Sequence, residues 1–145
     1  MRRFVVDASV ALCWYFEDQS SAYTEAVFDR LAQGDQAVVP AIWPLEMVNG
    51  LVVAWRQKSI RTDQLEDFIT DLKDLPAEVE AQGSERAYST VFRMSCRHQL
   101  SCYDASYLDL AIFQGLPVAT LDRNLRAAAK RSGVEIFDPR GPARY

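Results

Sequence analysis

Two rhythms of apolar and polar residues divide this chain. Short, mostly apolar runs mark strands: residues 4–6 (Phe4, Val5, Val6), 37–40, 117–121 and 134–137, with 78–81 a weaker edge strand. Between them apolar residues recur at helical spacing. The spacing predicts helices over 10–16, over 24–33 with a stop at Gly34, and over 45–58 with Leu45, Val48, Val52 and Trp55 in register. Thr62 is placed to cap a helix whose stripe is Leu65, Phe68, Ile69, Leu72 and Leu75 and whose end is Pro76. A helix over 84–99 follows. Ser101 and Asp104 have capping-box spacing before a helix that runs to Gly115, and 123–131 is a last helix closed by Gly133. In the helix after Ser101, Asp104 shares the face of Leu108 and Ala111 and should project inward. Asp109, five residues on and about 140° round, should face solvent.

Strands alternating with helices require crossover connections, hence a parallel sheet. The expectation is one α/β domain over 1–145, three-layered α/β/α, with four or five short strands, helices on both faces and an irregular tail over 138–145. No repeat or linker interrupts it.

Composition narrows the chemistry. With 49% hydrophobic and 25% charged residues the chain is of ordinary globular type. No apolar run reaches membrane-span length, so no membrane association is expected. The basic start Met1-Arg2-Arg3 superficially resembles a secretory leader, but Asp7 interrupts the apolar stretch and no small-residue cleavage site follows. The three cysteines, Cys13, Cys96 and Cys102, lack paired metal-ligand spacing and read as reduced thiols packed as small hydrophobes in a cytoplasmic protein. His98 is the one histidine, which leaves little for mechanisms that need two imidazoles. A net charge of −4 argues against a general nucleic-acid coat protein. It leaves room for an enzyme whose acidic site is neutralised by bound cations.

Four carboxylates stand at corresponding places. Asp7 and Asp122 follow strands; Glu46 and Asp104 fall in first turns of helices. In a parallel α/β layout these ends share one rim, where ligands bind. Each acid alone reads equally well as a cap favoured by the helix dipole. Four together repel: a pair about 5 Å apart costs on the order of 3 kcal/mol at an effective dielectric near 20. Either some are protonated or a cation neutralises them, and oxygen-only ligands favour Mg²⁺ or Mn²⁺. Such a site suits phosphodiester hydrolysis by an activated water, which needs no histidine.

Four segments in order carry a family likeness: Phe4-Val5-Val6-Asp7-Ala8-Ser9, Pro44-Leu45-Glu46-Met47-Val48-Asn49, Tyr103-Asp104-Ala105-Ser106-Tyr107 and Thr120-Leu121-Asp122-Arg123-Asn124-Leu125. The chain resembles PIN domains along its whole length, and among them the VapC ribonuclease toxins of bacterial toxin–antitoxin pairs. The resemblance implies Asp7, Glu46, Asp104 and Asp122 as catalytic, metal-binding acids. It implies Ser9, Asn49, Thr120 and Asn124 as supporting polar residues. It further implies a Mg²⁺-dependent endoribonuclease acting on RNA, a homodimer, and inhibition by a small VapB-like antitoxin. Gly50, where a larger residue is usual, and the extra acid Asp109 depart from the pattern without touching the acids.

The substrate surface is less legible. Arg123, Arg126 and Lys130, with Arg131, flank Asp122, while Arg86, Arg93 and Arg97 form a second basic stripe; either set could meet phosphates. Trp14, Tyr15, Trp43 and Trp55 read first as core or dimer interface and second as base-stacking platforms. The stripe Leu65, Phe68, Ile69, Leu72 is a candidate groove for an antitoxin helix. Rival readings are a PIN nuclease on structured DNA and a PIN scaffold that binds RNA or protein without cutting. A receiver-like phosphoacceptor domain wants paired acids after the first strand and a Lys ending the last, and this chain has neither.

Overall fold

The computed structural model describes residues 1–141. Its central sheet is wholly parallel, in the order β3-β2-β1-β4, formed by β1 (Arg3–Val6), β2 (Gln36–Pro40), β3 (Ala77–Glu80) and β4 (Val118–Ala119). Helices flank it as the third and first layers of an α/β/α sandwich. Phe4, Val5 and Val6 are fully buried, as are Val38, Val39, Val118 and Ala119, which is why these runs carry no alternation. The chain leaves β1 toward β2 on one side and returns to place β4 on the other. The crevice between the ends of β1 and β4 is therefore the topological switch point.

The connections are α1 (Ala8–Ala11) with a 3₁₀ turn over Leu12–Trp14, α2 (Ala22–Ala32), α3 (Trp43–Arg56), α4 (Thr62–Asp74), α5 (Gly83–Arg86), a π turn (Ala87–Val91), α6 (Phe92–His98), α7 (Cys102–Gln114) and α8 (Arg123–Arg131). Gly50 on α3 has a packing reason: a Cβ there would stand 2.7 Å from the Leu12 methyls. Its absence lets the 3₁₀ turn seat against α3.

Several expectations need correction. The first helix starts at Ala8, earlier than periodicity indicates, because Asp7 caps it by accepting from the Val10 N–H. Thr62 lies inside α4, which Arg61 precedes as cap residue, and the Thr62 hydroxyl is taken by the Trp55 indole N–H at 3.1 Å. The helix over 84–99 is broken by the π turn and ends where Gln99 turns left-handed, at φ 53°. The strand over 134–137 shrinks to a bridge between Val118 and Ile136, since only the two bonds around Val118 form before the chain turns away. Cys13 is buried, but Cys96 and Cys102 are exposed rather than packed. Of the tail, residues 142–145 lie outside the described residues.

The largest correction is Asp109. It is buried, 1% exposed, between α7 and α5. Arg86 meets it with both Nη2 (2.7 Å) and Nε (3.1 Å), and Gln82 adds a bond at 2.7 Å. The helical-wheel angle is right but its premise fails: α7 is covered on its far side as well, so no face of its middle is free. Arg86 consequently leaves the basic stripe. Its guanidinium also lies over the Phe113 ring, 4.0 Å from the centroid.

Candidate active site

Asp7 is delivered where β1 ends and α1 begins, and is 4% exposed. The Ser9 hydroxyl donates to its Oδ1 at 2.6 Å and the Val10 N–H donates to the same oxygen at 3.2 Å. The Thr120 hydroxyl donates to Oδ2. These donors tie two segments together: Ser9 Oγ accepts from Leu121 N–H, and Thr120 Oγ1 accepts from Asp122 N–H, each at 3.0 Å. Asp122 in turn caps α8, its Oδ1 accepting from Leu125 N–H at 2.8 Å. The loops after β1 and β4 are thus locked across the switch point by two hydroxyls, and both aspartates are also caps. Capping uses one oxygen of each, and a carboxylate has further lone pairs to offer.

Glu46 lies in the first turn of α3, half-buried. Tyr107, 1% exposed on α7, donates its phenol proton to Glu46 Oε1. Asp104, in the first turn of α7, is half-buried too, and its backbone N–H is capped by Ser101 Oγ at 3.0 Å.

Electrostatics link the four acids. Burial, opposed by its hydroxyl and backbone donors and reinforced by the Asp104 charge, raises the Asp7 carboxyl from 3.8 to about 6. Burial raises Glu46 as well, with the Tyr107 bond opposing and the Asp104 charge adding. Burial and the Asp122 charge raise Asp104 itself. Asp104 therefore feels or is felt by each of the other three. None of the four forms a salt bridge among the described residues, whereas Glu78, Asp35, Asp63 and Asp109 each have an arginine. Among the described residues no three acidic, histidine or cysteine side chains stand close enough together to grip one ion as they are placed. What links the quartet is the Asp104 charge, not contact.

The supporting residues divide. Ser9 and Thr120 are in the network; Asn49 and Asn124 are exposed at its margin. Arg123 and Lys130 are exposed. Arg126 is not free for substrate in this arrangement: its Nε donates to the Thr120 carbonyl at 2.7 Å and its guanidinium lies 5.2 Å from the Tyr23 ring centroid. Trp43 is buried, and Trp14 and Tyr15 pack partly against the core. Tyr107 escaped the sequence reading, although three residues after Asp104 it shares that helix side. The Arg126 bond to Thr120 had no sequence signal.

Comparison with known proteins follows the same lines. The profile of the PIN domain matches residues 4–131. Ribonuclease VapC3 of Pyrobaculum aerophilum is 24% identical over 123 residues, 85% of this chain and 92% of that protein. The crystal structure of PAE2754 from the same organism superimposes with a TM-score of 0.62 at 21% identity, covering 88% of this chain and 79% of that one. FitAcB from Neisseria gonorrhoeae gives 0.65 at 17% identity, covering 94% and 97%.

Proposed function

This chain belongs to the PIN domain family, and from that premise we propose that it is a Mg²⁺- or Mn²⁺-dependent endoribonuclease, the toxin of a VapC-type pair. What supports the reading is that four carboxylates from four separate segments, without an ion-pair partner among the described residues, are linked through the Asp104 charge beside the switch point of a parallel sheet. The donor set fits a hard divalent cation: oxygen ligands only, no arginine or lysine ion-paired to them among the described residues, and the carboxyls of Asp7, Glu46 and Asp104 held above their ordinary range by burial and neighbouring charge. Asp7, Glu46, Asp104 and Asp122 would hold the ion. When bound, it supplies a nucleophilic water at neutral pH and charge stabilisation at the phosphoryl group.

The chain's own residues do the rest. Ser9 and Thr120 orient Asp7, and Thr120 carries that orientation to the backbone of Asp122. Tyr107 fixes one oxygen of Glu46 and leaves the other free for the cleft. A carboxylate of the quartet takes the proton of the attacking water. The water oxygen bonds to phosphorus as the bond to the 3′ oxygen breaks and that oxygen gains a proton, so products carry a 5′-phosphate and a 3′-hydroxyl. Asn49, Asn124 and Arg123, exposed and close in sequence to Glu46 and Asp122, would meet the strand near the cut, and Lys130 would meet it two turns along α8.

An antitoxin partner is supported by a groove of about 1480 Å³ between residues 13–20, α2, the end of α3 and α4. Its lining joins Trp14, Tyr15, Phe28 and Phe68 to Glu17, Asp18, Glu25 and Asp29. Aromatic surface rimmed by carboxylates suits a basic amphipathic segment. A homodimer and a cytoplasmic location complete the proposal on the family's likeness.

The experiment is cleavage of cellular RNA by purified protein. EDTA should stop it, Mg²⁺ or Mn²⁺ should restore it, and Asp104→Asn should abolish it in a folded, metal-treated protein. Expression should arrest bacterial growth, relieved by a small protein encoded alongside. Activity persisting in EDTA, or 2′,3′-cyclic phosphate ends, would overturn the mechanism.

A further inference from the structure

Away from the quartet, the described surface carries two grooves of opposite sign. The one assigned above to a basic partner is lined by four carboxylates and no lysine or arginine. The second, about 1040 Å³, lies between α6, α7 and the end of α8 and has the reverse character. Arg93, Arg97, Arg131 and His98 line it with Thr90 and Ser132, and no carboxylate does.

The contrast follows from where the chain's cations are spent. Arg3, Arg30, Arg61 and Arg86 are each held by a carboxylate, and Arg126 by a backbone carbonyl. Arg93, Arg97 and Arg131 have no ion-pair partner among the described residues. Arg131 instead faces His98 Nδ1 at 3.2 Å. The resulting field is felt locally: burial first, then the Arg131 and Arg97 charges, push the His98 imidazole below its usual range. Three exposed guanidinium groups collected without a counter-charge among the described residues offer donors that match an anion such as phosphate.

The fold also gives a route to them. α8 begins at Asp122 in the acidic crevice and ends at Arg131, nine residues and about 13 Å away. Arg123 and Lys130, two turns apart, stand on one side of that helix, and Arg131 follows Lys130. A strand whose cleaved bond lay at the quartet would cover this distance in about four stacked nucleotides of 3.4 Å each. Phe92, 55% exposed, and Ile112, 43% exposed, add apolar surface on which a base can rest.

We propose that the groove formed by Arg93, Arg97 and Arg131 between α6 and α8 binds the phosphates of single-stranded RNA flanking the cleaved bond, making it a substrate subsite separate from the acidic crevice. The inference rests on the ribonuclease reading. It gives an enzyme of net negative charge, with an anionic centre, a place to gain affinity for an anionic polymer.

The test is fluorescence anisotropy with labelled oligouridine of twelve and of four residues, in EDTA to prevent hydrolysis, across a salt series. The triple variant R93Q/R97Q/R131Q is compared with R56Q/K58Q/K73Q, which removes the same charge elsewhere. Wild type should bind the longer oligomer more tightly. The triple variant should lose roughly tenfold, with its slope of log affinity against log salt shallower by about 2, at 0.7 for each lost phosphate contact. The control variant should stay near wild type, and thermal melting should show both folded. Equal losses in the two variants would overturn the subsite, reducing it to net charge. Unchanged RNA binding with loss of a dimer on size-exclusion light scattering would also overturn it, giving the groove to a second copy. Failure of wild type to bind either oligomer would overturn the ribonuclease reading and the subsite with it.

Discussion

Asp7→Asn separates the electrostatic account of the crevice from a purely structural one. In the metal-free protein the Asp7 carboxyl is raised from 3.8 to about 6, chiefly by burial. At about 1.4 kcal/mol per tenfold, holding it ionised in the folded state costs on the order of 3 kcal/mol at pH 7. Asparagine removes that cost but gives up an acceptor. One of the donors from Ser9, Val10 and Thr120 must find another partner, a loss of about 1–2 kcal/mol. The net is a variant about 1–2 kcal/mol more stable than wild type at pH 7 in EDTA. The sign with pH is fixed. Below 3.8 Asp7 is protonated folded and unfolded, and wild type keeps its full stability. As pH rises from 3.8 through 6, the folded protein must surrender a proton that the unfolded chain has already lost, and wild type loses stability relative to the variant. Urea denaturation in EDTA at pH 4 and pH 7 measures both points. Mg²⁺ should then reverse the order: at a hundred times its dissociation constant it adds about 2.7 kcal/mol to wild type and little to the variant. A variant no more stable than wild type at pH 7, or a gap equal at both pH values, would refute the reasoning.

Two further substitutions probe the supports. Tyr107→Phe keeps the buried ring and deletes the donor to Glu46, so stability should fall by only about 1 kcal/mol. Mn²⁺ affinity, followed by the paramagnetic signal of the free ion, should fall roughly tenfold or more, as when a support behind a metal ligand is lost. Asp109→Asn leaves Arg86 beside a neutral partner. Because Arg86 keeps about a quarter of its side chain exposed, the loss should be roughly 2 kcal/mol, below that of fully buried pairs, read as a lower thermal midpoint.

The sequence revealed most where one residue type answers one physical demand. Phe4-Val5-Val6 could only be a strand buried on both faces, and Gly34 and Gly115 end helices by turning left-handed. Asp7 and Asp122 stood out as strand-end acids because their side chains also cap the helices that follow. It failed where a residue's surroundings come from elsewhere in the chain. Asp109 sits on the side of α7 that a lone amphipathic helix would leave wet. Only the packing of α5, with Arg86 and Gln82, turns it into a buried ion pair. The short strand at 134–137 has strand composition, yet its length is decided by where Asp138 turns the chain. Tyr107 belongs to the core by burial. Its hydroxyl matters because α3 brings Glu46 within reach, 61 positions away in sequence.

Charge shows the same limit at larger scale. A net of −4 describes no place on this molecule. Eight carboxylates divide between an acidic crevice and an acidic groove, while Arg3, Arg30, Arg61 and Arg86 are held in ion pairs and Arg93, Arg97 and Arg131 line one groove. A total of −4 argues only against a general nucleic-acid coat protein. The arrangement permits RNA binding, because steering and binding respond to local potential over about a Debye length, near 8 Å at physiological salt, and not to the sum over the whole surface. The crevice and the cationic end of α8 are farther apart than that, so each can hold its own sign: one attracts a cation, the other a phosphate chain. A protein built this way should show RNA affinity that falls with salt despite its acidic isoelectric point, and a shallower dependence when Arg93, Arg97 and Arg131 are removed.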